Sequence, residues 1–196
     1  MAAALRSGSN VAVATRTNTT FTAPAGIQDG DVLLIFLQVG AAAAVTPTPP
    51  TGFSTATGFP IEMSKADPWT SRGYCFHKIA SGESGNYTCS HSSASSDGRM
   101  EAWSGCDTTT PLSPNPTTNS GNGTPATATG LTTPRDESGV IYYTIAWNGQ
   151  GGAAPTGTTP TFTERFDSGT GGTSYVANGV LATAGATGNK SNTINE

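Results

Sequence analysis

Charge is what this 196-residue chain has least of: Asp, Glu, Lys and Arg make up 11% of it, where a soluble domain carries about 25%. Its nine Lys and Arg are scattered and form no cluster, so the basic footprint that a nucleic acid requires is missing. The net charge is only −4, and the high-charge signature of a disordered chain is missing as well. No apolar run approaches the roughly 20 residues that span a bilayer, so no membrane partner is expected. The opening Met1-Ala-Ala-Ala-Leu-Arg6 offers no apolar stretch long enough for a secretory signal. Histidine occurs only at His77 and His91, and cysteine only at Cys75, Cys89 and Cys106. That odd number, set in apolar strand-like segments, reads as packed thiols rather than a disulfide framework. Helical periodicity never runs three turns without a Gly or Pro.

What remains is a β-protein composition: 25 Gly and 13 Pro among abundant Thr, Ser, Asn and Val. Thr and Val suit a half-buried pleated surface, while Gly, Pro and Asn punctuate it. Residues 32–39 form a nearly continuous apolar run, the mark of a strand covered on both faces. Residues 72–80 form a second strong strand, and the turn at residues 81–86 leads to residues 87–91, which reads as a hairpin. Further strands are expected near 11–15, 99–104, 140–147, 161–166 and 174–181.

The chain also repeats itself. Residues 31–39, a Gly/Ala loop, the Pro-rich Thr46-Pro-Thr-Pro-Pro50 and Phe53 are echoed by residues 139–147, another Gly/Ala loop, Pro155, Pro160 and Phe162. Ser81-Gly-Glu-Ser-Gly-Asn86 is echoed by Ala184-Gly-Ala-Thr-Gly-Asn189. A repeated strand-loop-strand unit implies a pseudo-symmetric all-β body. Each half alone is too strand-poor to bury its own core. The expectation is one domain over residues 1–196: an antiparallel β-sandwich, jelly-roll or immunoglobulin-like, of roughly eight to ten strands. Its halves are residues 8–107 and 124–196, joined by the connection 105–123 and enclosing one shared interior. The second half reads as one strand short at its carboxyl end.

Few residues invite chemistry. In a hairpin, His77 and His91 lie near each other with Cys75 and Cys89 beside them, which raises a zinc site. The spacing fits no zinc ligand pattern, and an ordinary hairpin is the better reading. Asp29-Gly-Asp31 offers oxygen ligands of the kind calcium prefers, but without the other acidic positions it reads as a turn. Cys106 stands beside Asp107, which raises rather than lowers a thiol pKa. Glu164 with Asp167, or Glu101 with Asp107, are the nominal carboxylate pairs for glycoside hydrolysis. No motif supports either, so no catalytic residue, metal or cofactor is assigned. Trp103 and Trp147 sit in apolar strands and are expected in the core. Trp69 follows Asp67-Pro68 in a loop and is the one aromatic expected as a surface contact.

The ordered series Gly30-Asp31-Val-Leu-Leu34, Thr48-Pro-Pro-Thr-Gly-Phe53, Tyr74-Cys-Phe-His-Lys-Ile-Ala80, Tyr87-Thr88 and Ala102-Trp-Ser-Gly-Cys-Asp107-Thr-Thr-Thr-Pro111 forms one pattern. It continues in residues 161–167 and 182–188. The series resembles a β-sandwich domain of tailed-bacteriophage structural proteins, also found in some bacterial surface and secreted proteins. The resemblance implies no catalytic residues. It implies a non-enzymatic virion component: a capsid decoration or cement protein, or a head-fibre or tail-associated subunit. The expected partners are further copies of the chain and a major capsid or other virion protein. Lys190, Asn192 and Ile194 are expected at an intersubunit contact. The alternative is a carbohydrate-binding module that attaches to a host-surface glycan through Trp69.

Overall fold

In the computed structural model, residues 2–64, 69–113, 117, 126–146, 155–156, 159–169 and 173–192 are described. They form thirteen β-strands and no helix. Short two-residue strands account for the excess over the expected number. The centre is β2 (Val32–Ala41), buried at every position but the last. A strand with two apolar faces must lie inside a sheet and be covered on both sides. Accordingly β2 pairs antiparallel with β5 (Thr70–Ile79) along one edge and with β6 (Tyr87–Ser104) along the other. Outside β6 lies β1 (Ala4–Phe21), and outside β5 lie β3 (Ser54–Thr55) and β4 (Ile61–Ser64). The expected hairpin over residues 72–91 is therefore not formed. The turn at residues 81–86 joins two strands that straddle β2, because β2 has two hydrogen-bonding edges to satisfy.

The second sheet has the order β10-β11-β9, from β9 (Ser138–Ala146), β10 (Thr163–Asp167) and β11 (Thr173–Leu181). Two short ribbons accompany it. One pairs β7 (Ala126–Ala128) with β13 (Lys190–Asn192), the other β8 (Thr132–Thr133) with β12 (Gly185–Ala186).

The β1–β6 ribbon is 18 residues long on each strand. Register shifts at residues 11–14 and 16–18 are the irregularities that bend a strand. Its far end, with Phe21, Tyr87 and Cys89, folds back over β2. There it packs on Leu33, Ile35 and Leu37, with Phe53, Tyr74 and Phe76 completing an outer layer. Gly98 permits the fold-back: a Cβ there would run into the Phe36 carbonyl and stand 3.2 Å from Phe21.

The interior has three apolar layers, of which the halves share the middle one. There Val32, Leu34, Phe36, Cys75 and Trp103 of the first sheet meet Phe166 and Val176 of the second. The two flanking layers belong to one half each.

The duplication is visible in local bonds. Asp29 accepts from the Gly82 amide at 2.7 Å, and Asp136 accepts from the Ala184 amide at 2.6 Å. The next residues, Gly30 and Glu137, both take positive φ, 87° and 56°. Thr20 and Thr88 share a hydroxyl bond of 2.9 Å across β1–β6, as Thr127 and Ser191 do at 2.7 Å across β7–β13. Tyr87 packs on Phe53 as the Lys190 ammonium packs over Phe162. These pairs set the phase: Leu33, not Val32, corresponds to Val140. The repeat is thus one residue out of step with its apparent alignment in the sequence. Phe53 and Phe162 accordingly occupy equivalent outer layers.

Candidate functional site

Alternate residues of a strand share a face, and Asp97, Arg99, Glu101 and Trp103 of β6 all turn toward the second sheet. Glu101 is wholly buried. Arg99 Nε donates to its Oε1 at 2.7 Å, Asn178 Nδ2 to the same oxygen at 2.9 Å, and Trp103 Nε1 to Oε2 at 2.8 Å. Arg99 Nη1 also donates to Asn10 Oδ1 at 2.7 Å and to the Arg165 carbonyl at 3.1 Å. Arg165 Nε closes the chain by donating to Asn178 Oδ1 at 2.9 Å. A buried charge requires a partner and satisfied hydrogen bonds, and this seam provides both while tying one sheet to the other.

Asp97 is less well served. The Ser174 hydroxyl donates to its Oδ1, but Oδ2 is buried without a partner. Gln38, directly opposite on β2, also has a buried Oε1 without a donor. Burial pushes the Asp97 carboxyl up to about 6, against the opposing pull of hydrogen bonds from Ser174 and Ser168 and the charge of Arg16. Opposite Asp97, β1 carries its register shift between Val11 and Ala14. Arg16 then folds its guanidinium back onto the Ala12 and Ala14 carbonyls.

A second feature is the flank of β9. Among the described residues β9 pairs with β11 alone. Beneath that flank lies β5, where His77 shares a face with Cys75 and Ile79 by strand alternation. His77 Nδ1 is buried without a hydrogen-bond partner. Burial lowers its pKa, and a hydrogen bond between the ring and the Ser54 backbone acts in the opposite direction.

His77 on β5 and His91 on β6 are separated by β2, so they are not cross-strand neighbours. His91 Nε2 lies 2.9 Å from the Thr19 hydroxyl and its Nδ1 lies 2.8 Å from the Ser92 carbonyl. Cys75 belongs to the middle layer and Cys89 to the outer one, on opposite faces of the sheet. Burial pushes both thiols up, Cys89 to about 12. No cluster of three metal-ligating side chains occurs among the described residues. Asp31 is held by Arg6 at 2.7 and 3.0 Å and by the Gln28 amide at 2.9 Å. Together with the Asp29 bond above, this makes Asp29-Gly-Asp31 a turn built by its own carboxylates.

Cys106 is half-buried, and burial, then the charge of Asp31, push its thiol up. Asp107 accepts from the Thr109 and Thr110 amides and pairs with Arg135, which together hold it at about 2. Glu101 is interior and cannot reach a sugar. Glu164 is pushed up by burial and by Asp167, while Asp167 accepts from the Gly169 amide at 2.9 Å.

Trp103 is in the core and Trp69 is 38% exposed just ahead of β5. Trp147 and Ile194 lie outside the described residues. Lys190 and Asn192 are buried in the chain's own outer layer rather than presented outward. Lys190 donates to the Thr159 carbonyl at 2.8 Å, and burial lowers its pKa.

The Arg99–Glu101–Asn178 seam is the feature that sequence reasoning missed. Its only trace was the alternation Asp97-x-Arg99-x-Glu101-x-Trp103, which mimics the polar side of a half-exposed strand. No family model, curated protein or solved structure matches this chain.

Proposed function

We propose that the chain is a non-catalytic structural subunit that works by binding protein surfaces: a capsid decoration or cement protein, or a head-fibre or tail-associated subunit, of a tailed phage. The observation that carries this reading is the buried seam of Arg99, Glu101, Trp103 and Asn178 between the sheets. It commits the buried charges of Arg99 and Glu101 to joining two half-sandwiches into one body. The nominal glycosidase acid Glu101 belongs to that seam, and Asp107 to a turn. A stiff body with exposed turns and sheet edges suits a subunit whose contacts span neighbours and resist their separation. The ordered β-series of the sequence favours the phage setting. Sedimentation of the full chain at rising concentration tests the self-binding part. Reversible association is expected, and a monomer that persists at virion-like concentrations, alone and with phage shells, would overturn it.

The exposure of Trp69 ahead of β5 favours a second reading, carbohydrate binding at a cell surface, because sugars stack on an aromatic face. A glycan array separates the two. Binding that disappears in Trp69→Ala supports the second reading, and a blank array with intact self-association supports the first.

A further inference from the structure

The two halves share the turn bonds of Asp29 and Asp136 and the hydroxyl bonds of Thr20–Thr88 and Thr127–Ser191. In the first half, the edge of β2 opposite β5 is filled by β6, antiparallel, with residues 32–40 against residues 95–103. The equivalent edge of β9, opposite β11, carries no strand among the described residues. We propose that this edge accepts an antiparallel β-strand donated by another polypeptide, one whose carboxylate seats against His77. This rests on the assembly reading above and supplies it with a contact.

Three observations converge on the edge. The first is the intrachain template. Leu33 corresponds to Val140, and each pairs with its neighbour strand in the same way: Leu33 with Lys78, and Val140 with Gly179. One residue back, His77 corresponds to Asn178. In the filled position Asn178 Nδ2 donates to Glu101 of β6 at 2.9 Å. In the unfilled position the corresponding donor is His77, whose Nδ1 is buried and unpartnered. An imidazole N–H there meets a carboxylate as the Asn178 amide does, and the pair is stronger with charge on either side.

The second is the state of the other edges. An unpaired strand invites pairing unless it is short, charged or bulged. The β3 and β4 strands are two and four residues long. The β10 strand carries Glu164, Arg165 and Asp167 and a register shift. Bulges bend β1, and Arg16 covers its Ala12 and Ala14 carbonyls. By contrast β9 reads Ser-Gly-Val-Ile-Tyr-Tyr-Thr-Ile-Ala, with no charge and no proline.

The third is chemistry on the two faces. Val140 and Tyr142 face the outer layer, while Ile141 and Tyr143 face the middle one. An incoming strand covers both layers when its residues alternate as in β6. There Met100 and Ala102 point outward while Glu101 points inward, opposite Leu34. Leu34 corresponds to Ile141, so the donated carboxylate belongs opposite Ile141. Strand addition of this kind draws its affinity from the backbone and its specificity from alternate side chains.

The probe is a peptide with the sequence of residues 95–104, added to the full-length protein and followed by amide hydrogen exchange. In the free protein, the amides of β9 are expected to exchange faster than those of β2. The peptide is expected to slow them, and replacing its glutamate with glutamine is expected to weaken binding about tenfold. In a His77→Ala protein that preference for glutamate disappears, whereas His77→Asn, which copies Asn178, keeps binding. Protection of β9 equal to β2 without peptide would show the edge already covered and overturn the proposal. So would an absence of protection with peptide, or equal protection by a scrambled peptide. Self-association that persists through any of these failures leaves the assembly reading standing on another surface.

Discussion

Asp97 should make this protein more stable in mild acid than at neutral pH, relative to a variant that lacks the carboxyl. Burial raises its pKa from an ordinary 3.8 to about 6, so the folded chain holds this proton more tightly than the unfolded chain does. Between those two values the native state binds more protons, and stability falls as pH rises through the window. Above pH 6 the ionised group costs about 3 kcal/mol, and about 2 kcal/mol of that returns by pH 4.5. Protonation also supplies a donor where Asp97 Oδ2 and Gln38 Oε1 both lack one. The groups around it are Ser174 and Ser168 from the second half, Arg16 from β1, Gln38 from β2 and Tyr143 from β9. The lowered pKa of His77 acts oppositely, since stability from a buried neutral imidazole is lost as pH falls. The difference between wild type and Asp97→Asn therefore isolates the carboxyl. Urea unfolding at pH 4.5, 6.0 and 7.5 should show the variant gaining on wild type as pH rises, by about 2 kcal/mol across the range. An unchanging difference would refute the reasoning.

Glu101→Ala should strand Arg99 in the seam and destabilise by about 3–5 kcal/mol in urea unfolding. Gly98→Ala drives a methyl group into the Phe36 carbonyl. A loss of at least roughly 1–3 kcal/mol by thermal unfolding is expected, whereas Gly82→Ala, with open space around it, should be limited to the strain of its positive φ. Arg16→Ala should leave unfolding free energy within about 0.5 kcal/mol of wild type yet speed aggregation under light scattering, because it uncovers two edge carbonyls.

Residues 32–39 announced a strand covered on both faces because both of its faces are apolar, and the structure places it at the centre of the larger sheet. Which strands would pair with it was not written locally. A turn rich in Gly and Ser suits a hairpin and a crossover equally, and β2 inserts between β5 and β6 to satisfy both of its edges. The repeat was legible but its phase was not. Glycine at position 30 and glutamate at position 137 both take positive φ, and the matching bonds of Asp29 and Asp136 show that the two turns correspond. The seam was hidden for a related reason. An alternating Asp-x-Arg-x-Glu face reads as wet until a second sheet supplies Ser174 and Asn178 to receive it.

The β1–β6 ribbon is at once floor and roof of the first half, its near end lying in the sheet and its far end lying over it. The roof cannot be lifted without unthreading the strands that hold the floor together. A load that separates roof from floor is therefore carried along one continuous pair of strands.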